Sequence, residues 1–148
     1  MMGLSMRQDM SPKLEQKTSV KIALALRLSQ TRISPIGNCS NCGYVLTKDE
    51  IQRGWRNDPT DFTTQCPSCG HRFVASLILI RSGEEEDVER VEYLCPQQLF
   101  AELEKVQRGT SKRLGKLYLY NTNPHLLWNM IYHFESYEEG LKAFRAQQ

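Results

Sequence analysis

Four of the five cysteines stand in two segments of one form, CSNCG beginning at Cys39 and CPSCG beginning at Cys66, with 23 residues between Cys42 and Cys66. Two C-x-x-C turns can each present two sulfurs to one ion while the chain between them folds back as a ribbon. Tetrahedral zinc takes four thiolates at about 2.3 Å, so the spacing predicts one Zn2+ held by Cys39, Cys42, Cys66 and Cys69. Gly43 and Gly70 follow the pairs, where a residue tolerant of positive φ lets backbone N–H groups turn toward the sulfurs. A thioredoxin-like centre needs a single C-x-x-C beside a βαβ pattern, and a disulfide scaffold needs an oxidising compartment; neither is indicated here. Four thiolates fill the coordination shell, so the expected ion is structural, with no open position for water.

The remaining candidate groups add no second chemistry. Cys95 precedes Pro96 with no cysteine or histidine pair around it and reads as a buried free thiol at a helix start. His71 stands two residues past Cys69 and begins a strand, while His125 and His133 read as packing or surface residues of an apolar helix. Trp55 reads as cover for the metal site and Trp128 as core. No nucleophile with its base, phosphate loop or paired-carboxylate pattern is visible, which predicts a protein that is not an enzyme.

The elements that must position the cysteines follow from periodicity. Val20, Ile22, Leu24, Leu26 and Leu28 alternate with more polar or smaller residues, the pattern of a strand with one buried face. Thr47 to Glu50 fits a capping box and Gly54 a helix end, giving a short helix over Lys48 to Arg53. Arg72 to Arg81 reads as a strand, Ser82 to Asp87 as an acidic turn and Val88 to Leu94 as a returning strand. From Pro96 the period becomes helical, with Leu99, Phe100, Leu103 and Val106 on one face and Gly109 as the stop. Lys116 to Tyr120 is ambiguous. Asn123-Pro124 opens an apolar helix, NPHLLWNMIYHF, in which Leu127, Trp128, Ile131 and Phe134 are expected to pack on the sheet, and Ser136 to Glu139 caps a last helix.

A chain of 148 residues with net charge +2 fits one globular domain. Residues 1–17 are expected to form a flexible tail and residues 18–148 the domain, with the ribbon at 38–72 and a helical part at 96–148. No apolar run approaches the roughly 20 residues of a membrane span, and no secretory-type apolar segment occurs near the start, so a cytoplasmic protein with reduced cysteines is expected. Residues 1–35 carry a net +4 and residues 82–108 a net −5. The acidic run Glu84 to Asp87 opposes phosphate binding, whereas the basic N-terminal segment keeps a nucleic-acid contact open.

Three stretches carry a resemblance. DEIQRGWRNDPTDFTTQCPSCG is similar to the zinc-binding segment near the C-terminus of the DENN-domain Rab exchange factors related to the C-myc promoter-binding protein, where D-E-E-I-x-x-G-W follows one C-x-x-C and leads to C-P-x-C. YLCPQQLFAELEKV resembles that family's Y-L-S-P-x-x-L-x-x-E-L-E, and NPHLLWNMIYHF its H-P-I-I-x-W-N-L-V-W-Y-F. The matches keep their order and cover about Asn38 to Phe134. The resemblance implies zinc ligation by Cys39, Cys42, Cys66 and Cys69, and structural roles for Ile51, Gly54, Trp55, Tyr93, Pro96, Leu99, Trp128 and Asn129. Cys95 stands where that family has Ser. The exchange activity of the family belongs to a separate DENN module for which 148 residues leave no room, so only an accessory role is implied.

The expected architecture is therefore α+β: an antiparallel β-sheet with a four-cysteine zinc ribbon, packed by C-terminal helices. The expected function is non-enzymatic protein binding, with small GTPases or their regulators as the partners the resemblance suggests. The alternative is a transcription- or ribosome-type zinc ribbon contacting nucleic acid.

Overall fold

The computed structural model describes residues 12–82, 87–109 and 114–148, with the backbone alone for 12–18. Within these residues the chain divides into two compact units, with the division between Thr31 and Arg32. No helix among the described residues is long and apolar enough to cross a membrane.

The first unit holds helix α1 (Pro12–Ser29), which corrects the strand expected over Val20 to Leu28. Alternate residues lie about 200° apart on a helix, so the period-two row cannot form one buried face. Val20, Ile22 and Leu26 are accordingly exposed. Lys21, Ala23, Leu24, Ala25, Leu26 and Arg27 are all strong helix formers, and here propensity overrides alternation. The helix ends in local caps: Ser29 Oγ donates to Leu26 O at 2.8 Å and Thr31 Oγ1 to Arg27 O at 2.7 Å. The tail boundary expected after residue 17 falls inside this helix.

The second unit is α+β. Its four-stranded sheet has the order β2-β1-β5-β6, from β1 (Thr31–Asn38), β2 (Val45–Leu46), β5 (Ser76–Arg81) and β6 (Asp87–Glu92). A two-stranded sheet pairs β3 (Thr64–Gln65) with β4 (Arg72–Phe73). The hairpin β5–β6 is antiparallel, with Ser76 opposite Glu92 and Arg81 opposite Asp87. Leu77 and Leu79 point inward and are fully buried. The single strand expected over Arg72 to Arg81 is thus two strands broken at Val74–Ala75, because its first part belongs to the ribbon and its second to the sheet. In the acidic run, Glu84, Glu85 and Glu86 lie outside the described residues, and Asp87 opens β6.

The helices of the second unit begin with α2 (Lys48–Gly54) between the cysteine pairs. After the sheet come α3 (Pro96–Gly109), α4 (Lys116–Thr122), α5 (Pro124–Phe134) and α6 (Tyr137–Ala146). Helix α5 is central and touches α3, α4, α6 and β6. It is apolar nearly all round, and Leu126, Leu127, Trp128, Asn129 and Met130 are buried, while Ile131 and Phe134 are half-buried. Asn129 is the one polar residue among those five, and all its polar atoms are engaged. Its Oδ1 accepts from Leu94 N–H at 2.9 Å, and its Nδ2 donates to Glu92 O and His125 O at 2.7 Å each. These bonds clamp α5 to the end of β6, where the unpaired strand-end groups could not otherwise be buried cheaply.

Candidate metal centre

The two cysteine turns are copies of one another displaced by 27 residues. In the first, Gly43 N–H donates to Cys39 O and Cys39 N–H to Tyr44 O; in the second, Gly70 N–H donates to Cys66 O and Cys66 N–H to His71 O, all at 2.9 Å. Gly43 and Gly70 both adopt φ +78°, a left-handed conformation in which a side chain would be strained. The flanking pairs repeat too: Gly37 and Asn38 face Leu46 and Val45, while Thr64 and Gln65 face Phe73 and Arg72. Each turn therefore sits at the tip of a two-residue ladder.

The tips meet sulfur to sulfur. Cys39 Sγ lies 3.5 Å from Cys69 Sγ and Cys42 Sγ lies 3.6 Å from Cys66 Sγ, and all four sulfurs fall within 4.8 Å of one another. Four sulfurs at the ordinary zinc–thiolate length stand about 3.8 Å apart along a tetrahedron edge, so the donor set fits a single ion of that kind. All four expected residues are brought together, and the described residues contain no other such group. Cys95 is apart from them: it is buried at the start of α3, where its N–H donates to Gln98 Oε1 at 3.2 Å.

The first cysteine of each turn is buried and the second exposed, so one side of the cluster faces the core and the other water. Asn41 Nδ2 donates to Cys69 Sγ at 3.5 Å, and with the backbone N–H of His71 it draws the Cys69 thiol down to about 6. Cys42 moves the other way, to about 11: the Tyr44 N–H lowers it, but desolvation and the thiols of Cys69, Cys66 and Cys39 outweigh that bond. One thiolate is welcome in this cluster, and further ones repel it unless a cation stands among them. His71 does not join the sulfurs; its Nε2 lies 3.2 Å from Ser40 Oγ and ties the two turns together at the surface.

The segment between the pairs is built to hold the tips in place. Thr47 Oγ1 accepts from Glu50 N–H at 3.2 Å, and the Glu50 carboxylate accepts from Thr47 N–H at 2.9 Å, which is the expected capping box. Those bonds and the Tyr44 hydroxyl hold the Glu50 carboxyl below its usual range. Gly54 ends α2 for a reason other than the one expected: the residue after it is extended, and a Cβ at Gly54 would collide with Thr64 Oγ1 and lie 2.6 Å from Gln65 N. The helix thereby comes close enough for Thr64 Oγ1 to donate to Ile51 O at 2.7 Å. Arg72 completes the corner, donating to Thr63 Oγ1, Thr63 O and Gly54 O at 2.9, 2.8 and 3.1 Å.

Two repeated D-x-T turns shape the rest of the link. Asp58 Oδ1 accepts from Thr60 N–H at 2.9 Å and Asp61 Oδ1 from Thr63 N–H at 3.0 Å, as polar turn residues do. Buried Gln98 of α3 reaches back to donate to the carbonyl of Asp61. Nothing in the periodicity of the sequence marks Gln98, Arg72 or Thr64.

The residues named by the resemblance sit as follows. Ile51, Tyr93, Leu99, Trp128 and Asn129 are fully buried, and Pro96 is the exposed first residue of α3. Trp55 packs edge-on to Tyr93 with ring centroids 4.8 Å apart, in a core cluster shared with Cys39 and Cys66. Comparison with known protein families, with curated proteins and with solved structures finds no match for this chain.

Proposed function

We propose that the chain is a non-enzymatic zinc-binding module that serves protein assembly. The observation that carries the metal half of this reading is the convergence of two copies of one turn, whose four sulfurs lie within 4.8 Å of one another. Cys39, Cys42, Cys66 and Cys69 would hold the ion. Bound there, zinc supplies crosslinking rather than catalysis, because four protein donors leave no position for water.

The non-enzymatic half rests on how the buried polar groups are used. Thr64, Gln98 and Asn129 are the buried polar residues of the described part, and each is committed to backbone groups of a neighbouring segment. The resemblance to the accessory region of DENN-related exchange factors directs the search for partners to small GTPases and their regulators.

Metal analysis of the purified, reduced chain is expected to find one zinc per chain, and Cys66→Ser is expected to release it. Loss of zinc on Cys95→Ser to the same degree would overturn the assignment. Capture of partners by the tagged chain, run beside titration of labelled RNA and DNA at two salt concentrations, separates the functional readings. Tight, sequence-selective nucleic-acid binding would overturn the assembly module in favour of a transcription-type ribbon.

A further inference from the structure

The same closeness of the sulfurs that suits an ion also suits thiol chemistry, because the shortest contacts run between the turns. Each turn contributes one buried and one exposed cysteine, and the buried sulfur of each turn lies against the exposed sulfur of the other. Cys39 is buried 3.5 Å from exposed Cys69, and Cys66 is buried 3.6 Å from exposed Cys42. A thiol-disulfide device needs this pairing of an accessible sulfur with a sheltered one that can resolve it.

Resting on the zinc reading above, we propose that the centre is a redox switch in which peroxide converts the four cysteines into two crossed disulfides, Cys39–Cys69 and Cys42–Cys66, with release of the metal. The exposed thiolate of Cys69 attacks hydrogen peroxide; an S–O bond forms, the O–O bond breaks, and with one proton the leaving hydroxide becomes water. The Cys39 thiolate then attacks the Cys69 sulfur, the S–S bond forms, the S–O bond breaks, and a second proton turns the departing hydroxide into water. Two thiolates lose two electrons in all, and one peroxide is reduced to two waters. Cys42 and Cys66 repeat the sequence with a second peroxide. Each disulfide removes two donors from the ion.

The crossed pairing decides the outcome. A disulfide within one turn would leave the two turns free to part, whereas Cys39–Cys69 and Cys42–Cys66 both span the junction between them. An S–S bond of about 2.05 Å requires the sulfurs to close by only about 1.5 Å from the present contacts. The oxidised ribbon therefore stays closed, and the switch exchanges a metal crosslink for a covalent one.

The test uses the full chain with Cys95→Ser, so that no fifth thiol reshuffles the products. The reduced protein is first analysed for zinc, then treated with hydrogen peroxide while released metal is read with a chromogenic chelator, and the disulfides are mapped by peptide mass spectrometry. The expected result is one zinc released per four thiols lost, crosslinks 39–69 and 42–66, and recovery of zinc binding after reduction in the presence of zinc. Crosslinks 39–42 and 66–69, or irreversible oxidation without crosslinks, would overturn the proposal. Zinc that stays bound while the thiols resist peroxide would overturn the switch and leave the zinc reading standing. A reduced chain that takes up no zinc at all would overturn both, and the metal analysis alone would show it.

Discussion

In the ribbon, residues 36–73, the buried side chains are Cys39, Leu46, Ile51, Thr64 and Cys66, two of them from the four-cysteine cluster. In the helical layer, residues 93–146, the buried set includes Tyr93, Leu94, Leu99, Leu103, Leu119, Leu126, Leu127, Trp128, Met130 and Phe144. One region is short of apolar area and is drawn together by four sulfurs and a lattice of side-chain-to-backbone bonds. The other closes on apolar contact, with Asn129 and Gln98 as its polar fastenings. Small elements lacking a core of their own depend on crosslinks, whereas layers of amphipathic helices do not.

The comparison breaks most sharply on metal removal. Structural zinc in small modules contributes roughly 10–16 kcal/mol of apparent binding free energy, so chelation of the reduced chain is expected to open the ribbon. Amide exchange should then accelerate across residues 36–73 while the amides of α5 stay protected. Equal loss of protection in both regions would mean that they fold as one unit. Next in size is Trp128→Ala, expected to cost about 3–5 kcal/mol by removing a fully buried ring. Denaturant unfolding measures it, and zinc affinity should be unchanged. Gly54→Ala is expected to cost about 1–3 kcal/mol by overpacking against Gln65 and Thr64, and to act in the opposite region by weakening zinc retention against a competing chelator.

The smallest effect is one of pH. His133 is pushed below its ordinary value near 6.5 by burial first, with the charge of Lys48 in the same direction and the carbonyl of Leu94, 2.6 Å from its Nε2, opposing them. The folded state thus holds fewer protons than the unfolded chain. Its contribution is fully present above pH 6.5 and is lost as pH falls from there toward the folded value. The difference in stability between the native chain and His133→Gln should therefore shrink below pH 6.5, as read by denaturant unfolding of the two proteins side by side. A difference independent of pH would remove His133 from the account.

Much of this contrast was legible in the residues. Doubled C-x-x-C-G is a local signal because turn geometry, glycine and thiol chemistry all act within five residues. Capping boxes and Pro96, Gly109 and Pro124 marked the helices for the same reason. Alternation at Val20 to Leu28 misled, since periodicity reports a buried face only where one exists, and over residues 19–29 all but Leu24 and Leu28 are exposed. The strand β1 was missed because Pro35 lies inside it; its ladder with β2 covers only Gly37 and Asn38, so proline there blocks no bond of that pair. The fastenings of Arg72 to Gly54, Gln98 to Asp61 and Asn129 to Glu92 join residues 18 to 37 positions apart, and no local pattern encodes such distances.

The two tryptophans divide between the two regions, Trp55 in the cluster with Cys39 and Cys66 and Trp128 inside α5. Both indole N–H groups are shielded from water and have no acceptor among the described residues. Each ring is therefore a native fluorophore with blue-shifted emission, Trp128 reporting on the helical layer and Trp55 on the ribbon and its contact with Tyr93. Replacing either by phenylalanine leaves a single-colour reporter, so the opening of the ribbon and the melting of the helices can be timed separately in one cuvette without any attached dye.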